Sequence, residues 1–229
     1  MSAQEITSAM KYSDHPIVQK LLEEIASHLT DLSVDKTDRI VELVRGFTEN
    51  QLAHEKKLTR IGSALSSERN LDALLEMIVV EAMNFTNADG GTLYIKTPDD
   101  RGIAFKIMRT KSLNFAMGGT SGKTIPFPPV KLIKDDGTRN EQQVSAYVAL
   151  TGNTVNIPDV YDVEGFDFQG TKAFDKNTGY RSKSMMVIAM RNHENEIIGV
   201  VQLLNAKAHD GTTIPFSVDY QELIESLAS

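Results

Sequence analysis

The segment Gly118-Gly119-Thr120-Ser121-Gly122-Lys123-Thr124 has the residue types of a phosphate-binding loop. Its glycines free backbone N–H groups, its lysine could meet a terminal phosphate, and its hydroxyls could reach a magnesium ion. The spacing fails. The leading glycine would have to stand where Met117 stands, and Ile125-Pro126-Phe127-Pro128-Pro129 cannot open the helix whose N-terminus the phosphate needs. The stretch reads as a flexible loop. The five histidines, His15, His28, His54, His193 and His209, share no i, i+4 or close i, i+2 spacing, so no metal site can be read locally. Cysteine is absent, which excludes disulfides, thiolate metal sites, cysteine nucleophiles and thioether-linked chromophores. There is no G-x-S-x-G, no H-E-x-x-H and no kinase signature. Carboxylates abound, but no spacing pairs any two. No reaction follows from these residues, and the expectation is a protein that is not itself an enzyme.

Composition narrows the partners. The 229 residues carry a net charge of -7 and are 41% hydrophobic. That is ordinary globular composition with a surface that repels a phosphate backbone, so no nucleic-acid partner is expected. No apolar run reaches the roughly 18 residues of a membrane span. The polar stretch Met1 to Met10 lacks the apolar core of a signal peptide, and a cytoplasmic location is the simplest reading.

The elements that would position a site fall into two regions, 1–66 and 67–229. In the first, Asp14-His15-Pro16 opens a helix with the stripe Val18, Leu21, Leu22, Ile25, Leu29 and Leu32. A second helix over 38–65 carries Ile40, Val44, Phe47, Gln51, His54, Leu58, Ile61 and Leu65 at alternating four- and three-residue steps, a heptad seam. Such a helical hairpin, weakened by Gly46, needs a partner surface. A homodimeric bundle through these N-terminal helices is expected; the alternative is that they fold back on the rest of the chain. In the second region Asn70 caps a helix with the stripe Leu71, Leu74, Leu75, Ile78, Ala82 and Phe85, ended by Asn87-Ala88-Asp89-Gly90-Gly91. Strands follow over 92–96, 103–108 and 113–117, then a loop over 118–137, a short helix over 143–150 and an extended piece over 154–157. A polar, aromatic-rich segment over 159–180 comes next. Two apolar strands over 185–190 and 197–204 are joined by Asn192-His193-Glu194-Asn195-Glu196, and a final helix spans 220–229. The final helix carries no stop signal, and the natural chain is expected to continue past it. The order predicts an α+β domain: a central antiparallel sheet flanked by helices, preceded by the helical stalk.

Within that frame the motifs Asn156-Ile157-Pro158-Asp159, Thr178-Gly179-Tyr180-Arg181-Ser182-Lys183-Ser184 and Ile198-Gly199-Val200-Val201-Gln202-Leu203-Leu204-Asn205 follow in order. Together they resemble the GAF family, particularly the GAF domains of cyclic-nucleotide phosphodiesterases and adenylyl cyclases. The resemblance covers about residues 71–229. It implies a sensory regulatory domain that binds a small planar ligand, such as a cyclic nucleotide, and modulates an attached output domain: a phosphodiesterase, cyclase or histidine kinase. It implies no metal and no other cofactor. The sulfoxide reductases that share the fold use cysteines, which this chain lacks. By resemblance, Thr92 and Phe115 would face the pocket and Ala116 would offer backbone groups to the base. Val144 and Ser145 would cradle phosphate, Asp175, Thr178 and Ser182 would hold the lid and sugar, and Gln202 would reach the pocket floor. The alternative is a dimerisation scaffold with no bound ligand. One departure bears on the lid. Phosphodiesterase members pin it with a Lys–Asp ion pair, but here Ala206 stands at the lysine position and Tyr220 and Gln221 at the acids. The departure therefore implies a looser lid, or a pocket that takes a different ligand or none.

Overall fold

The structure, a computed structural model, describes residues 70–228. The expected stalk, its heptad seam and the dimer it would form lie outside the described residues.

Asn70 caps helix α1 (Leu71–Phe85), its Oδ1 accepting from the N–H groups of Asp72 and Ala73 at 2.9 and 3.3 Å. The buried face begins one turn later than the stripe suggested. Leu75, Val79, Ala82, Met83 and Phe85 are buried, with Glu76 among them, whereas Leu71 is 62% exposed. Thr86 ends the helix by donating its hydroxyl to the Ala82 carbonyl at 2.8 Å. Asn87, in the left-handed region at φ 49°, then turns the chain.

Strand β1 (Ala88–Lys96) starts at once. The sequence placed Asp89-Gly90-Gly91 in the turn, and the structure puts all three in the strand. Their glycines answer close packing. A Cβ on Gly91 would lie 2.8 Å from Met83 and Val79 of α1, so the helix sits directly on the strand there.

The sheet continues with β2 (Gly102–Thr110), β3 (Phe115–Gly118) and the two-residue β4 (Val130–Lys131). Helix α2 (Val144–Thr151), β5 (Val155–Ile157) and helix α3 (Gln169–Thr178) follow. Then come β6 (Met185–Arg191), β7 (Ile197–Lys207), β8 (Thr213–Ile214) and helix α4 (Val218–Leu227). Every pairing is antiparallel, in the order β3-β2-β1-β7-β6-β5, with β4 on β2 and β8 on β7. The fold is the α+β arrangement read from the sequence, enlarged by β4 and β8, which were hidden in loop-like stretches.

Alternation along the central strands makes two faces. Tyr94, Met185, Val187, Ala189 and Val200 pack with Val144 and Val148 of α2. The intervening Leu93, Met186, Ile188, Val201 and Leu203 are also buried, on the side of α1 and α4, which pack on β1 and β6 and on each other. The near-continuous apolar runs of β6 and β7 are thus explained by cover on both faces.

Candidate ligand cavity

A cavity of about 500 Å³ lies on the α2 face of the sheet, under α3 and beside the strap that leads into β4. Its floor follows from strand register. Met108, Thr92, Gln202 and Val187 form one row across β2, β1, β7 and β6. Thr92 and Gln202 thereby present a hydroxyl and an amide side by side. Two residues along β1 on the same face, the Tyr94 hydroxyl stands 3.5 Å from Gln202 Oε1. Burial pushes the ionisation of Tyr94 well above that of an ordinary phenol, with the adjacent Ser145 hydroxyl acting the other way. Tyr94 therefore stays a neutral phenol at neutral pH.

Helix α2 points its N-terminus at the same space, where Gln143, Val144 and Ser145 line the wall. Gln143 gives no side-chain cap, and the N–H groups of Val144, Ser145 and Ala146 find no protein acceptor among the described residues. Free donors at the positive end of a helix are suited to an anionic or strongly polar group. The rest of the lining is mainly apolar and aromatic. Tyr94, Phe105 and Phe127 form a ladder with centroid separations of 4.6 and 5.6 Å, and Phe168 and Phe174 face it from the lid side.

The lid contains α3, a helix that the sequence does not signal. Its C-terminal end is held by Asp175. The carboxylate accepts from Ser182 Oγ and Ser182 N–H, both at 2.8 Å, and from the Tyr161 hydroxyl at 3.0 Å. The Tyr161 ring carries the Arg181 guanidinium at 3.5 Å and the Lys172 ammonium at 5.0 Å. Asn205, at φ 57° within β7, accepts from Lys183 N–H at 2.7 Å and donates to the Arg181 carbonyl at 2.8 Å. Tyr180 donates to Asp89 at 2.8 Å. The ionisation of Tyr180 is raised first by burial, then by that carboxylate. Where the Lys–Asp pair of the phosphodiesterase members is missing, Asp175, Asn205 and Asp89 tie down the C-terminal end of the lid.

On the opposite face, Glu76 of α1 pairs with Arg109 of β2 and accepts from Thr120 N–H and Thr120 Oγ1 at 2.7 and 2.6 Å. The glycine-rich segment is thus a single 3₁₀ turn (Gly119–Ser121) hung on α1, not a phosphate loop.

Of the residues singled out from the sequence, Thr92, Val144, Ser145, Ser182 and Gln202 line the cavity. Phe115 and Ala116 do not. They sit on edge strand β3 opposite Thr110 and Arg109, with β2 between them and the cavity. Asp175 is buried behind the lid, and the exposed Thr178 gives its hydroxyl to the Phe174 carbonyl at 2.8 Å. Tyr94, Phe105, Met108 and Phe127 were missed. Tyr94 and Met108 were recoverable from alternation and pairing with Thr92. Phe105 was not, because a bulge between Leu93 and Tyr94 shifts the β1–β2 register there.

The first and last described helices thus lie behind the antiparallel sheet, and the lidded cavity lies in front of it. The GAF domain family description matches residues 70–229, and the chain belongs to that family. It is 44% identical over 62 residues to the dual 3',5'-cyclic-AMP and -GMP phosphodiesterase 11A of Takifugu rubripes, covering 27% of this chain and 6% of that protein. It is 25% identical over 189 residues to the cGMP-specific 3',5'-cyclic phosphodiesterase of Drosophila sechellia, covering 80% of this chain and 13% of that protein. The chain thus spans only a small part of the length of these relatives. Among solved structures, the GAF domain from a phosphoenolpyruvate-protein phosphotransferase of Coxiella burnetii superimposes with a TM-score of 0.53 at 15% identity, covering 76% of this chain and 89% of that one. Residues 122 to 287 of a methyl-accepting chemotaxis protein give 0.51 at 16%, covering 74% and 90%. These likenesses establish the fold.

Proposed function

We propose that this domain is the sensory part of a signalling protein, binds a small planar ligand of the cyclic-nucleotide class in its cavity, and modulates an attached output domain. The observation that carries the reading is the meeting of three features in one cavity. Aromatic walls suit a planar ring, the neutral groups of Thr92, Tyr94, Ser182 and Gln202 suit its polar edge, and the uncapped start of α2 suits a single negative charge. The phosphodiesterase relatives, whose names give cyclic AMP and cyclic GMP as substrates, support that ligand class. A ligand alters output only through unequal affinity for two states of the protein, and the lid is the element whose contacts would differ between them. The heptad seam over 40–65 supports a homodimer through the N-terminal helices as part of the same reading.

Isothermal titration of the full chain with cyclic AMP and cyclic GMP tests the ligand class. Saturable heat with at least one of them is expected, and Gln202→Leu weakens it at least fivefold. Absence of both heat and thermal shift with either nucleotide refutes it.

A further inference from the structure

A second concavity, about 410 Å³, opens at the hinge where the lid rejoins the sheet, walled by Asp89, Tyr180, Arg181, Lys183, Asn205 and Lys207. Its charges do not balance. The one acid, Asp89, is already occupied by three donors: Ser112 N–H at 3.0 Å, Ser112 Oγ at 2.7 Å and Tyr180 Oη at 2.8 Å. Arg181 is partly engaged, resting on the Tyr161 ring and pairing with Asp159 at 3.3 Å. Lys183 and Lys207 have no ion-pair partner among the described residues. Lys207 Nζ spends one hydrogen on Thr213 Oγ1 at 2.8 Å, which orients the ammonium and leaves two donors free.

Lys183 and Lys207 thus line one polar hollow whose single carboxylate is already taken up by other donors, and neither has an ion-pair partner among the described residues. The geometry points to a second binding site, separate from the main cavity, that takes a phosphate-class oxyanion between Lys183 and Lys207. Lys183 belongs to the segment stapled by Asn205, and Lys207 lies two residues beyond it on β7. An anion held by both would bridge lid hinge and sheet, adding a tie where Asn205 already makes two. The ligand is recognised by charge and acceptor oxygens alone, since the hollow presents no aromatic stack comparable to that of the main cavity. The phosphate could belong to a free metabolite or to a phosphorylated segment of a partner.

The test uses the full 229-residue chain with sodium pyrophosphate as probe and sodium chloride of matched ionic strength as control. Pyrophosphate in tenfold excess over its Kd is expected to raise Tm by about 3 °C more than the chloride does. Amide resonances of Lys183 and Lys207 should move while those of Ser145 and Gln202 stay in place. Lys183→Gln/Lys207→Gln, which breaks no ion pair among the described residues, is expected to lose the pyrophosphate effect while moving the ligand-free Tm by less than about 2 °C. An equal rise with chloride, an equal rise in the double variant, or shifts confined to Ser145 would each overturn the proposal. Repeating the titration with a phosphoserine peptide and with its unphosphorylated form separates the two sources. Neither result bears on cyclic-nucleotide binding, which is read at the other cavity.

Discussion

The main cavity has two rims, and they are held in different ways. At the α3 rim a buried carboxylate, Asp175, collects three donors, Asn205 fixes the following segment from both sides, and Tyr180 reaches back to Asp89. At the strap rim, residues 124–129 are almost all exposed and make no side-chain hydrogen bond among those described; Phe127 rests on Phe105 and is itself 42% exposed. The difference teaches where rigidity comes from in a short irregular segment. Polar groups with several satisfied partners resist displacement, because breaking one strands the others away from water. A single aromatic contact costs little to break. The α3 rim is thus the more firmly held side of the cavity, and under the proposed function the strap is the side that would yield to an entering ligand.

Asp175→Ala would break the comparison most directly. It strands the buried hydroxyl and N–H of Ser182, and is expected to lower stability by about 3 kcal/mol, read from urea midpoints. A loss below about 1 kcal/mol would mean that the rim is not held there. Asn205→Ala comes next, at about 2 kcal/mol, because it removes two hydrogen bonds and puts alanine, which tolerates the left-handed region less well than asparagine, at φ 57°. Asn205→Gly should recover part of that loss; no difference between the two variants would remove the strain component.

Tyr180→Phe is expected to cost about 1 kcal/mol at pH 7. The same residue gives a pH signature. Tyr94 and Tyr180 both ionise at higher pH in the folded chain than in the unfolded one. Their contribution is complete below the unfolded value near 10 and is lost as pH rises beyond it, so stability should fall above about pH 10. Tyr180→Phe should make that fall shallower, and identical slopes in the two proteins would contradict the assignment. The smallest effect on stability belongs to the strap. Phe127→Ala is expected to change it by less than about 0.5 kcal/mol while weakening a planar ligand up to about tenfold. A large drop in Tm would show that the strap carries weight after all.

These contrasts also mark how far the sequence could be read. Helix α1 was legible because Asn70 and the apolar spacing act locally. Strands β6 and β7 were legible because their apolar runs are nearly unbroken. Helix α3 was not, since Gln169–Thr178 offers only Ala173 and Phe174 as apolar residues. Its support comes from Tyr161, Ser182 and the C-terminal Gly179 at φ 72°, contacts that no periodicity within the helix announces. The floor of the cavity was half legible for a similar reason. Thr92 and Gln202 came from the family resemblance, but a bulge in the β1–β2 pairing brings Phe105 to the cavity, and a proline-rich connector concealed Phe127.

Gly91 lines the cavity from one side, while on the other the side chains of Val79 and Met83 fill the place its own would take. At that point the wall between binding space and helix is one peptide thick. Under the proposed function it would act as a diaphragm, through which a ligand pressing on the floor would push directly on α1.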